Sequence, residues 1–394
     1  MTSFIDALGL LLKHTPPLGV ERCRIEQAAG RVLRGDIRAD RAFPSFDRVM
    51  MDGYALRSTD LRTGRDFHVT GAAPAGQPMV TLSESPFACV EVMTGAPLPA
   101  GADCIVPVEE ISQTETGEIT VGTSFEFVAG RFIHRAGSDA GEGTVLLRSG
   151  RLIGSREIGV AASCGAGWLE VSRLPKIAVI ATGDELVGVD AIPAEHQLRQ
   201  SNAHSIACAL QRAGYPNTHQ ATLGDDMPTA EAVLRDQLAD CDWLVLTGAV
   251  SKGSRDFVPG MLDALGCTRI FHGVAQRPGK PAGCWVGPSG QMIMALPGNP
   301  VSALTGLHAF VLPALAVASG RVLPRPRMVV PEGRISGLPG MTHHLPVILG
   351  HGGRVQSAAT GNSGDFIGLL ESDGFITMPP HGDPAVAFPF TPWL

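Results

Sequence analysis

Lys176–Leu186 reads KIAVIATGDEL, an unbroken apolar run closed by a glycine turn, and NAHSIACALQRAG at 202–214 follows it with helical spacing. The alternation then repeats through THQATL (218–223), PTAEAVLRDQLAD (228–240), WLVLTG (243–248), DFVPGMLDAL (256–265), RIFHGV (269–274), CWVG (284–287) and MIMALPG (292–298). Apolar strands that end in glycine turns and are joined by helices of roughly 10–15 residues predict a doubly wound, parallel α/β sheet. That domain is placed at 176–320.

The texture changes on both sides of it. Residues 3–13 and 20–30 read as helical, and GDIRADRAFPSFDR (35–48) loses that periodicity at Pro44. The β-like runs DFHVTG, CVEVMTG, DCIVPVEEI and EITVG are separated by Gly and Pro, which marks a β domain at 48–136. It is inserted between 1–47 and 137–175, the two segments of a helical domain whose second helix is expected at Ser155–Ser163. From Arg321 the turns GLPGM, GHGGR and PPHGDP break up short β runs, giving a separate, small, barrel-like β domain at 321–394. The expected fold class is multidomain, α/β plus β.

Composition narrows the function. The 394 residues are 44% hydrophobic and 18% charged, too apolar and too varied for a disordered chain. Lys plus Arg total 31 against 38 for Asp plus Glu, a net charge of −7, which argues against a nucleic-acid-coating protein. The eight cysteines are scattered without a CxxC pair and read as reduced core thiols, the pattern of a cytoplasmic protein. The N-terminal MTSFIDALGLLLKHT carries Asp6 and has no basic lead, so it reads as a helix rather than a signal peptide. Pro300–Ser319 contains no charged residue, yet Ser302, Thr305, Gly306, His308 and Pro313 interrupt it; it reads as a buried helix of a globular domain, not a membrane span.

In an open α/β sheet, ligands bind beyond the carboxyl ends of the strands, so the loops there are the candidates. Thr182-Gly183-Asp184-Glu185, Gly224-Asp225-Asp226 and the turn from Thr247 through Ser251 to Asp256 are all acidic. Three such loops on one sheet edge suit a hard divalent cation, although Asp184 and Asp226 each also fit a helix cap. Arg277-Pro278-Gly279-Lys280-Pro281 supplies two cations on a stiff turn. In Leu296-Pro297-Gly298-Asn299-Pro300-Val301-Ser302, an N-cap Asn precedes a proline suited to the first helical position, so free N–H groups gather there as an anion site. His343, His344 and His351 read as surface residues rather than zinc ligands, since no cysteine or spaced histidine pair accompanies them. GxSxG, GxGxxG and Walker A patterns are absent, which disfavours a serine hydrolase, a nicotinamide enzyme and a P-loop NTPase.

Taken together, MDGYAL (51–56), TGAPLPAGAD (94–103), ATGDEL (181–186), Ser201-Asn202, TGAVSKGSRDF (247–257), RPGKP (277–281) and LPGNPVSA (296–303) resemble molybdopterin molybdenumtransferase, the MoeA and gephyrin E-domain family. Their order spans nearly the whole chain. The resemblance implies a homodimer with a MogA-like α/β domain that binds molybdopterin. It also implies hydrolysis of adenylylated molybdopterin with release of AMP and insertion of molybdate, using Mg²⁺. By position it assigns Asp52 to a site shared between subunits, and Glu185, Asp226 and Asp256 to the cation and pyrophosphate. Thr182, Asp184, Ser251 and Asn299 fall to substrate binding, Arg277, Lys280 and Ser302 to molybdate or phosphate, and Asp139 to an acidic position of the helical domain. An upstream molybdopterin adenylyltransferase is the implied partner; neither nucleic acid nor membrane is. The chain departs from the family at Ala249, Lys252, Ser254 and Arg255, carries Arg277 where many relatives have Lys, and shows no Arg in GMTHHLPVIL. Two alternatives stay open: adenylyl transfer to molybdopterin, and a non-catalytic dimeric scaffold.

Overall fold

The computed structural model describes the chain from Met1 to Leu394 except residues 115–116, 225, 251–256, 334, 336, 359–361, 363 and 384–385. It divides into two compact units, one of residues 1–35, 149–155 and 168–394, the other of residues 36–148 and 156–167.

At the centre of the first unit is a six-stranded sheet: β1 (Ile177–Thr182), β2 (Thr218–Leu223), β3 (Trp243–Thr247), β4 (Thr268–His272), β5 (Gly283–Val286) and β6 (Met292–Leu296). Their order is β2-β1-β3-β6-β5-β4. The first four are parallel, as the alternation of strand and helix requires. Side chains of β1 and β3 alternate between two cores: Ile177, Val179, Trp243 and Val245 pack on one face, and Ala178, Ile180, Leu244 and Leu246 on the other. A strand buried on both faces must be apolar throughout, which explains the runs KIAVIA and WLVL.

The sheet is mixed rather than wholly parallel, because β5 runs antiparallel to both β6 and β4. The turn Gly287–Gln291 between β5 and β6 is too short for a parallel crossover, so the chain can only fold back as a hairpin. Helices α1 (Asn202–Arg212) and α2 (Met227–Asp240) follow β1 and β2, and α3 (Val258–Ala264) precedes β4. The run that opens with α4 (Pro300–Gly306) continues through a π-helical turn at Leu307–Val311 to Ala318. It is long and apolar enough to cross a membrane, but 78% of its most apolar window is buried within the unit. It packs with the N-terminal helix Phe4–His14 on one face of the sheet.

Three readings need correction. Residues 20–30 are not a helix: Val20–Arg24 is a strand paired antiparallel with Trp168–Ser172, and only Ile25–Gln27 makes a 3₁₀ turn. Three of the five residues of VERCR are charged and only Cys23 is buried, so an edge ladder decided the local structure rather than propensity. The C-terminal barrel is present but not separate. Strands Arg327–Pro331, Thr342–Leu349, Arg354–Ser357, Gly374–Met378 and Phe388–Pro392 close on themselves. That sheet also takes in Val274–Arg277, which pairs in parallel with Thr342 and His343 and with Thr2–Ser3. RIFHGV is thus split at Gly273, one strand staying with the α/β sheet and the next joining the barrel.

The third concerns the histidines. His344 is fully buried, with its ring edge-on to Phe4 and Phe375. Burial, aided by His343, pushes its pKa down to about 3. All eight cysteines are free; Cys208 is exposed and the others are buried.

In the second unit, Gly53–Leu56, Asp66–Ala73, Ala88–Val92, Cys104–Pro107, Ile111–Gln113 and Glu118–Val121 form a six-stranded sheet with an apolar cluster on each face. The helix at Ser155–Ser163 has the expected bounds.

Because the folded chain holds His344 neutral while the unfolded chain protonates it below about pH 6.5, stability is fully present above that pH and falls as the pH drops toward 3. Urea midpoints measured from pH 7 to pH 4 should decline, and His344→Gln should flatten the decline while leaving the pH 7 value nearly unchanged. Parallel curves for the two proteins would contradict the assignment.

Candidate active site

Strands β1, β3 and β6 end level with one another: Ala181 pairs with Thr247, and Thr247 with Leu296. Since β1 is flanked by β2 on one side and β3 on the other, the chain leaves its carboxyl end in opposite directions and a crevice opens there. That crevice is a cavity of about 810 Å³ in the first unit. Thr182, Gly183 and Glu185 line it from β1, Thr247 to Val250 from β3, and Pro297 to Pro300 from β6 and the start of α4.

Short contacts hold the rim together. Thr182 donates its hydroxyl to the Thr247 carbonyl at 3.2 Å, and Asn202 donates its amide to the Gly298 carbonyl at 2.7 Å, tying α1 to the turn before α4. Gly248 has φ +95°, and a Cβ there would lie 2.5 Å from the Thr182 carbonyl oxygen, so only glycine lets these strand ends meet. Leu186 and Leu198 form an apolar wall, and Arg199, whose Nε donates to the Ala191 carbonyl at 3.0 Å, lies beside them.

The cationic turn flanks the opening of α4. Pro281 lines the cavity, and a Cβ on Gly279 would sit 3.7 Å from the Ser302 carbonyl. Ser302 is buried in the first turn of α4, whose N-cap position is Asn299. Arg277 and Lys280 are exposed, and among the described residues neither side chain has a hydrogen-bond or ion-pair partner. His343 lies across the ladder from Arg277; its pKa is lowered by burial and then by the Arg277 charge, and its buried Nδ1 has no partner among the described residues.

The structure thus brings together Thr182, Glu185 and Asn299 in the cavity wall; Ser302, Arg277 and Lys280 are not in its lining, and the turn that carries the two cations reaches it through Pro281. Asp184 does not line the cavity; its carboxylate lies toward Gly224. Asp226 is not in the wall either. Its carboxylate accepts the Thr229 N–H at 3.1 Å as the N-cap of α2, and hydrogen bonds from the Thr229 side chain and backbone hold its pKa below the usual carboxylate range. Ser251 and Asp256 lie outside the described residues. Among the described residues no group of three acidic, histidine or cysteine side chains is placed to hold a metal; Asp225 and Asp256, which belong to two of the three acidic loops, lie outside the described residues.

Asp52 and Asp139 belong to the second unit. Asp52 accepts the Thr94 N–H at 2.7 Å and its hydroxyl at 2.8 Å, and those bonds lower its pKa. Asp139 meets the His134 imidazole at 2.8 Å, which lowers its pKa in turn. Sequence reasoning assigned no role to Leu186, Leu198, Arg199 or Gln200. Leu186 closes the ATGDEL motif; for the other three, which lie in a stretch without a motif, the only signal is position after a strand end.

A crevice opens at the switch point of a doubly wound sheet, where such sheets bind ligands, with a helix start at its edge and, on the neighbouring turn, two cations that have no partner among the described residues. Comparison with known proteins agrees. Residues 2–165 match the family described as "MoeA N-terminal region (domain I and II)" and residues 178–317 match "Probable molybdopterin binding domain". Over the full length of both chains the protein is 34% identical to molybdopterin molybdenumtransferase of Synechocystis, and over 90% of each chain it is 33% identical to molybdopterin molybdenumtransferase 2 of Mycobacterium tuberculosis. The crystal structure of the molybdopterin biosynthesis MoeA protein from Pyrococcus horikosii superposes with a TM-score of 0.77 at 26% identity, covering 100% of this chain and 99% of that one. The chain belongs to the molybdopterin molybdenumtransferase family, transferases of molybdenum cofactor biosynthesis.

If Asp226 serves as a cap, Asp226→Ala should cost about 1 kcal/mol of stability, while Asp226→Asn keeps both stability and turnover. Denaturation midpoints and initial rates check this; a large loss of turnover in Asp226→Asn would restore the carboxylate to the chemistry.

Proposed function

We propose that the crevice binds adenylylated molybdopterin and molybdate, and that the enzyme cleaves the phosphoanhydride, releases AMP and inserts molybdenum at the dithiolene. The observation that carries this reading is the pair of cations, Arg277 and Lys280, without a partner among the described residues, on a turn packed against the first turn of α4. Two positive charges beside free helix N–H groups fit a compact dianion such as molybdate, and such charge-assisted hydrogen bonds need no bulky side chain. The buried Ser302 hydroxyl adds one more donor on that turn. Thr182 and Asn299 border the remaining volume, where the apolar wall of Leu186 and Leu198 suits a flat pterin ring.

Mg²⁺ is usually held by one or two carboxylates together with substrate phosphates, and Glu185 in the cavity wall suits that pattern. Asp256 is the second carboxylate of this proposal. When bound, the cation would neutralise charge on the phosphate oxygens. Glu185 then orients the nucleophilic water by accepting its hydrogen bond, and Arg277 and Lys280 keep the oxyanion in place. Asp52, which Thr94 holds ionised, serves as an acceptor toward substrate across a homodimer in which each site is completed by the partner subunit. The free thiols fit a cytoplasmic enzyme fed by a molybdopterin adenylyltransferase.

Lys280→Ala removes one charge-assisted hydrogen bond, about 1.5–3 kcal/mol, so KM for molybdate should rise about ten- to a hundredfold with an unchanged melting temperature. Mass spectrometry of the pterin product at graded molybdate concentrations measures it. An unaltered molybdate dependence would remove the cationic turn from the site.

A further inference from the structure

The cationic turn is anchored from behind by a run of buried polar groups that reaches into the barrel. Gln276, one residue before Arg277, is 1% exposed. Its Nε2 lies 3.1 Å from the Gly279 carbonyl and its Oε1 lies 3.3 Å from His344 Nε2. His344 Nδ1 in turn lies 3.1 Å from the Thr377 hydroxyl, on the barrel strand Gly374–Met378.

The direction of every bond follows from chemistry. A carbonyl can only accept, so the Gln276 amide must present N–H to Gly279 and oxygen to His344. The His344 Nε2 must therefore carry the proton, which leaves Nδ1 as the acceptor of the Thr377 O–H. The ring stays neutral between Phe4 and Phe375, so one tautomer satisfies all partners. The Gly279 carbonyl also accepts the Ala282 N–H at 3.1 Å, so both of its lone pairs are engaged. Gly279 itself has φ +88°, and a Cβ there would stand 2.9 Å from Gln276 Nε2. The turn fits this side chain only as glycine.

We propose that Thr377, His344 and Gln276 are positioning residues that fix the Gly279–Lys280 peptide and so aim Lys280 at the oxyanion. The assignment rests on the reading of that turn given under Proposed function. The barrel thereby contributes to the site through the turn.

The test pairs His344→Leu, which fills the space without donating or accepting, with His344→Gln, whose amide can remake both bonds. Two readouts are taken on the full-length protein: hydrogen exchange of the amides in 277–282 without substrate, and KM and kcat for molybdate. In His344→Leu exchange should quicken about tenfold and KM for molybdate should rise about tenfold, with kcat and KM for the pterin substrate within about twofold, as loss of the buried hydrogen bond that holds Gln276 implies. His344→Gln should restore both. Unchanged exchange in folded His344→Leu overturns the positioning chain. Quickened exchange in a protein whose wild-type form shows no molybdate dependence overturns instead the oxyanion reading beneath it. Where His344→Leu does not fold, Thr377→Val decides on the same readouts: an effect of about threefold in each supports the chain, and no effect overturns it.

Discussion

The register of three parallel strands governs the site. Hydrogen bonding along β1, β3 and β6 sets Ala181, Thr247 and Leu296 side by side, and no loop placed beyond them can escape the crevice their level ends create. The ladder also creates the crowding at the rim. Gly248 approaches the Thr182 carbonyl closely enough to exclude any side chain. Burial of both sheet faces keeps that register from slipping, since a one-residue shift would exchange Ile177, Val179 and Trp243 for the set facing the opposite core.

Electrostatics is then a matter of which charges the fold leaves unpaired. Arg173 is matched bidentately with Asp242 and Lys176 with Asp240 elsewhere in the unit. Arg277 and Lys280 stand on a turn whose described neighbours contribute no carboxylate. Two cations with no carboxylate partner among the described residues, beside the positive end of α4, favour an anion there. The same logic separates the acidic residues. Asp226 is already committed to Thr229, whereas Glu185 faces the cavity.

Much of this was legible in the amino-acid order. The runs KIAVIA and WLVL, the glycine turns after them and the Asn299-Pro300 helix start gave the α/β core and the helix that opens at its crevice, because each is a local signal tied to one backbone geometry. The strand Val20–Arg24 was not legible: its partner lies at Trp168–Ser172, and no local pattern encodes so distant a pairing. Nor was the split at Gly273, where one apolar stretch serves two sheets. His344 looked like a surface residue because nothing in THHLPV tells which of two adjacent histidines faces the interior; the ladder to Gln276 and Gly374–Met378 decides it. Asp226 fits a cap and a ligand equally well by sequence, and the Thr229 contact shows the cap.

The central claim is that the oxyanion is held where the cationic turn meets the first turn of α4. Crystals soaked in molybdate and measured at the molybdenum absorption edge locate that ion directly. The account requires an anomalous peak bounded by Arg277, Lys280 and Ser302. A peak in another part of the molecule, with none at that turn under saturating molybdate, would contradict it.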